Sequence, residues 1–284
     1  VTNTRFEPVG GTHAIEIMAI GIEWAVPLTE TQLEELRNVY EGAPEIKEFL
    51  PQYAPVQAFS IQQVTHVGPS SPPVNLLKAP QVVTQAAGFD LRRFDPSGKV
   101  LWVTSARPQV LSCNCSDYDR WKNVKPKALS LLRPFVDAAL KAGAQIKAIG
   151  LQYQDAFKLP GGISPEVTGQ LFRRDSRWIP DHMFEEPSYW HCHQGWFSKG
   201  PDQRRVLNNI TTDISDINGA CFARIGGQHR VFATSFDAKS EHALVASDID
   251  RVLDCLHDEN KTVINGMLSD IALESIGCTA RGTS

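Results

Sequence analysis

Long apolar runs are missing from this chain. Nowhere do its 284 residues supply the roughly 18 consecutive apolar positions that a membrane-crossing helix needs. The opening VTNTRFEPVGG has neither the basic stretch nor the apolar core of a secretory signal, so a cytoplasmic protein with no membrane partner is expected. Positive charge is also in short supply. With 28 Lys and Arg against 32 Asp and Glu, the formal net charge is −4, and no general field draws in nucleic acid; such a partner would need a local basic patch. Cysteine is sparse. Six thiols without the spacing of a secreted framework predict reduced side chains. A phosphate loop, nucleophile elbow, paired-histidine zinc motif and dinucleotide fingerprint are missing too. No catalytic residue is therefore assigned, and a non-enzymatic role is expected.

What is present is ordinary folded-protein material, 42% hydrophobic and 21% charged. The clearest stretch is Tyr118 to Phe157, which reads as a helix feeding a strand. Leu129, Leu132, Phe135, Val136, Ala139 and Leu140 recur every three or four residues and define one buried face. Pro126 suits a first turn, Gly143 suits a stop, and Pro134 predicts a kink or restart. HAIEIMAIGIEWAV, residues 13–26, alternates as a strand with one covered face, and TETQLEELRNVYEG reads as a short helix capped by Thr29 or Thr31. Residues 43–83 hold many prolines around VGPSSPPVNLLKAP and predict an excursion with little regular structure. Asp95-Pro96-Ser97-Gly98 then joins two strands in a hairpin.

Further strands are expected at Trp190–Phe197, Arg204–Ser215 and Cys221–Phe236, the last interrupted by a turn at Gly226-Gly227. A long final helix starts near Ser247 and carries Ile249, Val252, Leu253, Leu256, Val263, Ile264, Met267, Leu268 and Ile271 on one stripe. The fold class that follows is α+β, with two similarly built units whose mostly antiparallel sheets are each covered by a long helix. Residues 1–160 form the first unit with its proline-rich excursion, 161–189 connect, and 190–284 hold strands followed by the last helix.

Two constellations carry chemistry. Residues two apart on a strand share a face, so Cys113 with Cys115 and His191 with His193 would supply four zinc ligands if their strands were neighbours. Zinc is the one cofactor this pattern suggests; buried thiols and unrelated histidines are the plainer reading, since zinc pairs ordinarily have at least two residues between them. Arg173, Arg174 and Arg177, with Arg92-Arg93 and Arg204-Arg205, offer a basic surface, and Trp178 and Trp196 offer stacking for a nucleic acid or nucleotide. Against that, the same arginines can pair with the 32 acids. His257, beside Asp254, Asp258 and Glu259, reads as a histidine that orients its helix rather than as a general base, there being no nucleophile in a recognisable motif.

The chain resembles a sporadically distributed bacterial protein family of unknown function. The likeness rests on KALSLLRPFVDAALKAGAQIKAIGLQYQDAFKLP and LDCLHDENKTVINGMLSDIALESIG: the aromatic pair Tyr118 and Trp121, Leu151-Gln152-Tyr153, Pro160, and Leu256-His257. It departs from the family's commoner Arg at Gln152 and Asn at Asp155, so an anion-binding role there is not carried over. The resemblance implies mobile-element or defence-associated gene neighbourhoods and no established activity. The reading that results is a binding or adaptor protein whose partner is another protein or a second copy. A metal-dependent enzyme or zinc-stabilised sensor and a nucleic-acid binder are its alternatives.

Overall fold

The alternation in residues 13–26 does form a strand, and the whole fold is built beside it. The structure is a computed structural model that describes residues 6–62, 81–235 and 243–278. In chain order the elements are β1 (Glu7–Pro8), β2 (Ile15–Trp24), α1 (Glu30–Gly42), α2 (Pro44–Phe49), β3 (Gln52–Gln62), β4 (Gln81–Phe94), β5 (Val100–Ala106), β6 (Val110–Cys115) and α3 (Trp121–Lys141). They continue with β7 (Ile146–Lys158), α4 (Pro165–Leu171), β8 (Trp190–Lys199), β9 (Arg204–Ile217), β10 (Ala220–Ser235), α5 (Asp248–Met267) and α6 (Asp270–Ser275). Thr29 caps α1 in a reciprocal box with Gln32. The Asp95 turn joins β4 to β5, its carboxylate accepting from the Ser97 and Lys99 amides at 2.8 and 2.9 Å.

Several expectations are corrected. The strands do not divide into two sheets: β7 pairs with β2 along one edge and β10 along the other. One ten-stranded antiparallel sheet results, ordered β3-β4-β5-β6-β2-β7-β10-β9-β8, with β1 also on β7. Nothing in a strand's own alternation says whether one or both of its edges will be paired, so sheet membership was invisible locally. Helix α3 runs through both Pro126 and Pro134 as one element, because the eight buried side chains along it hold the helix against the sheet despite the lost hydrogen bonds. Residues 43–62, expected to lack regular structure, form α2 and β3; the tract 67–80 lies outside the described residues. The last helix breaks at Leu268-Ser269, where the Ser269 hydroxyl caps α6. Gly226 and Gly227 are not a turn but consecutive residues inside β10.

The helices cover one face of the sheet, and beneath them the apolar core separates into two clusters. The first gathers Ile20, Ile22, Leu36, Leu132, Phe135 and the N-terminal half of α5. The second gathers Phe157, Phe172, Phe184, Ile225 and the C-terminal half of α5. Each long element that crosses from one cluster to the other changes chemistry at the crossing. Along β7 the inward series runs Leu151, Tyr153, Asp155, Phe157; along β10 it runs Val231, His229, Gly227, Ile225; along β9 it runs Val206, Asn208, Ile210. On α5, Asn260 stands between Leu256 and Val263. A polar seam therefore divides the core, and it belongs to no hydrophobic periodicity.

Candidate functional site

At its deep end the seam is fully satisfied. His229, with no exposed surface, has Nδ1 2.8 Å from Asn208 Oδ1 and Nε2 3.2 Å from Asn260 Oδ1. Burial pushes its pKa down to about 4, so it is neutral and carries a single N–H: one ring nitrogen donates to an asparagine oxygen, and the other is satisfied with the facing amide turned to present its NH2. Gly227 makes this possible. A Cβ there would stand 2.2 Å from Asn260 Oδ1, so only glycine lets α5 come close enough for the amide to reach the imidazole.

At its open end the seam becomes a cleft of about 500 Å³. Its walls come from the segment before β2 (His13), the segment before α3 (Tyr118 and Arg120), Trp121, β7 (Tyr153 and Asp155) and α5 (His257 and Lys261). The aromatic groups fix one another. Trp121 stacks on His257 with ring centroids 4.6 Å apart and planes 14° from parallel. The indole N–H donates to Asp254 at 2.9 Å, and Lys125 holds the same carboxylate at 2.8 Å. Tyr153 Oη lies 2.9 Å from His257 Nδ1. Burial, with Lys261 nearby, lowers the His257 pKa to about 4, so the ring is neutral, and in the tautomer protonated at Nε2 the phenol donates to Nδ1. Tyr118 meets Tyr153 edge-on at 6.0 Å and His13 at 5.7 Å. Burial holds the Tyr118 phenol up at about 12 and the Tyr153 phenol higher still. Both remain protonated donors at neutral pH. Tyr153→Phe is expected to leave Nδ1 unpaired and to cost about 1 to 2 kcal/mol in urea unfolding; an unchanged midpoint would show that the bond contributes nothing.

One polar group lining this cleft has no partner among the described residues. Asp155 is only 6% exposed, and among the described residues its carboxylate makes no hydrogen bond or ion pair. Burial alone raises its pKa to about 7. It sits opposite a bulge in β2, where the register shifts between Ile15 and Ile17, an irregularity of the kind that re-aims side chains beside sites. His13 Nδ1 also lacks a hydrogen-bond partner, but it has no accessible surface and packs against Gly10 rather than opening on the cleft. An orphaned buried polar group costs free energy comparable to a lost hydrogen bond, and Asp155 is the one that lines the space.

The residues singled out from sequence lie elsewhere. Cys113 and Cys115 are on β6 and His191 and His193 on β8, at opposite parts of the sheet, with β2, β7, β10 and β9 between. Five strand spacings make that roughly 24 Å. The two pairs also project from opposite faces: the cysteines are buried under the helices, while the histidines stand exposed beside Asp213 and Thr211. Burial pushes both thiols up to about 12, away from the thiolate that zinc needs. Among the described residues, no three His, Cys, Asp or Glu side chains converge on a possible metal position. The zinc expectation is overturned: residues two apart did share a face, but the strands were not neighbours.

Of the arginine group, Arg177 covers Trp178 at 4.3 Å and Trp178 meets Trp196 at 6.5 Å. Arg174 lies over Phe184, and Arg173 pairs with Asp175 and Asp270. Trp178 itself is buried against Gly266 in the second core. Arg92-Arg93 on β4 and Arg204-Arg205 on β9 are six strands apart, so the three arginine groups do not form one surface. The cleft residues Asp155 and His13 carried no motif. Tyr118, Trp121 and Tyr153 were visible only as the short segments on which the family resemblance rests, whereas His257 was also read from its acidic neighbours as a helix-orienting histidine. No family profile and no curated protein matches this chain.

Proposed function

We propose that this is a binding protein, not an enzyme, and that its ligand is a small molecule seated in the seam cleft. One observation carries the reading: the unpartnered Asp155 carboxylate, 6% exposed, lines an aromatic-walled space of about 500 Å³. Volumes of this order accommodate drug-sized ligands, and a few placed polar groups in an apolar wall are what orient them. The neighbouring aromatics are already fixed by stacking and hydrogen bonds, so a ligand would meet preformed walls and spend little free energy on ordering them. The resemblance to the sporadic bacterial family accords with this reading, because four of the residues on which it rests, Tyr118, Trp121, Tyr153 and His257, line the cleft. An adaptor role would then follow from ligand occupancy altering how the two core clusters are joined.

The test is native mass spectrometry of the whole chain after incubation with a small-molecule cell extract. A bound species below about 1 kDa is expected on the native protein. It should be absent from Asn265→Trp, which fills the cleft from α5, where Asn265 is part of the lining. Retention of no species, or equal retention by the plugged variant, would overturn the assignment.

A further inference from the structure

The deepest unmet demand in the cleft is for positive charge. Asp155 is buried with no cation beside it, and burying an ionised carboxylate is tolerated only with a counter-ion or hydrogen-bond donors. The wall of the same cleft carries the rings of Tyr118, Tyr153 and Trp121. Aromatic faces attract cations through the ring quadrupole, and an acid within aromatic walls is a recurring receptor for ammonium and guanidinium groups. His257 does not supply the missing charge, being held neutral by burial and by the nearby Lys261 charge. The protein's own cations stand at the mouth. Arg120 and Lys261 line the cleft from solvent-exposed positions, and among the described residues neither forms an ion pair. The cleft is thus negative at its floor, apolar and aromatic along its wall, and positive at its rim.

We propose that the cleft takes a small zwitterion: its ammonium or guanidinium head lies on the Asp155 carboxylate between the aromatic rings, and its anionic end meets Arg120 and Lys261. This is the charge pattern of a basic amino acid, and it rests on the reading of the cleft as a small-molecule site. A guanidinium, with donors on several edges, meets both oxygens of the Asp155 carboxylate at once.

Isothermal titration of the full chain tests this with L-arginine, L-lysine and agmatine, the last being arginine without its carboxylate. Guanosine monophosphate, which presents a neutral donor edge in place of a cation, is the control. At least one of the amino acids is expected to bind one per chain. Asp155→Asn, which keeps the side chain's shape and removes its charge, is expected to weaken that binding about 10- to 100-fold, as loss of a charge-assisted hydrogen bond does. The double variant Arg120→Ala with Lys261→Ala should weaken L-arginine, whose carboxylate loses its partners, and should not weaken agmatine, whose terminal ammonium the two rim cations repel. No binding of any of the three cations, affinity indifferent to Asp155→Asn, or binding of the guanine nucleotide alone would overturn the zwitterion. If the cations fail while the native protein still retains an extract ligand that Asn265→Trp loses, the ligand class is wrong and the site stands. If both fail, neither stands.

Discussion

Asp155→Asn is expected to stabilise the ligand-free protein by about 4 kcal/mol at pH 8 and by almost nothing near pH 4. The size follows from a pKa raised by burial to about 7, each unit above the ordinary value being worth about 1.4 kcal/mol. The sign follows from counting protons. Below about pH 4 the carboxyl is protonated in folded and unfolded chains alike, and the acid and the amide are nearly equivalent. Between about 4 and 7 the unfolded chain gives up its proton while the folded one keeps it. The folded state then binds more protons, and stability falls as pH rises. Above 7 the folded carboxyl is also ionised and the full penalty of a buried, unpaired charge remains. The amide never incurs it. His229 and His257 act in the opposite direction: with pKa values lowered to about 4, they withdraw stability as pH falls below about 6.5. They do so in both proteins, so the difference between variant and native protein isolates Asp155. Urea unfolding of the pair at pH 5, 6, 7 and 8 should show a gap that widens with pH. A gap that stays constant would mean that the carboxylate is ionised throughout and has a partner in solution.

A buried acid that destabilises its own fold is hard to see from sequence, and the reason lies in particular residues. The strands and helices were legible because Ile20, Ile22, Leu132, Phe135, Leu256 and Met267 obey two- and 3.6-residue periods. The seam residues break those periods. Asp155 interrupts the inward series of β7, His229 that of β10, Asn208 that of β9 and Asn260 that of α5. Taken one at a time, each is a polar residue in an apolar pattern, and it acquires meaning only when the sheet order places β7, β10 and β9 side by side. The zinc reading failed for the converse reason. Cys113-x-Cys115 and His191-x-His193 have local regularity, but register across six strands decides whether ligands meet, and no local spacing encodes that. The His257 reading lies between these cases: its neighbours in sequence suggested an orienting histidine, while its partners Tyr153 and Trp121 come from other elements.

Gly227→Ala is expected to cost about 2 to 4 kcal/mol, and its neighbour Gly226→Ala to cost nothing. Both glycines lie in β10, and a strand ordinarily gains from alanine, which reduces the entropy of the unfolded chain. Gly226 faces the sheet surface away from the helices, where a Cβ would rest 3.4 Å from the Gln154 side-chain oxygen, on a residue free to yield. Gly227 faces α5. A methyl there would stand 2.2 Å from Asn260 Oδ1 and 3.3 Å from His229 Nε2, against an amide tied to that imidazole at 3.2 Å. Relief requires either that α5 retreat from the sheet or that Asn260 swing away. Retreat sacrifices packing in both core clusters, and swinging leaves His229 with a buried unpaired nitrogen. The double variant Gly227→Ala with Asn260→Ala separates the two. If the clash lies with the amide, truncating Asn260 makes room for the methyl, and the pair is less destabilised than the sum of the single changes. Additive losses in urea unfolding would instead place the strain in the separation of helix and sheet. In either case α5 carries His257 and Lys261, two of the cleft's walls, on the helix that Gly227 admits to the sheet, so the glycine inside β10 sets the width of the cleft it does not touch.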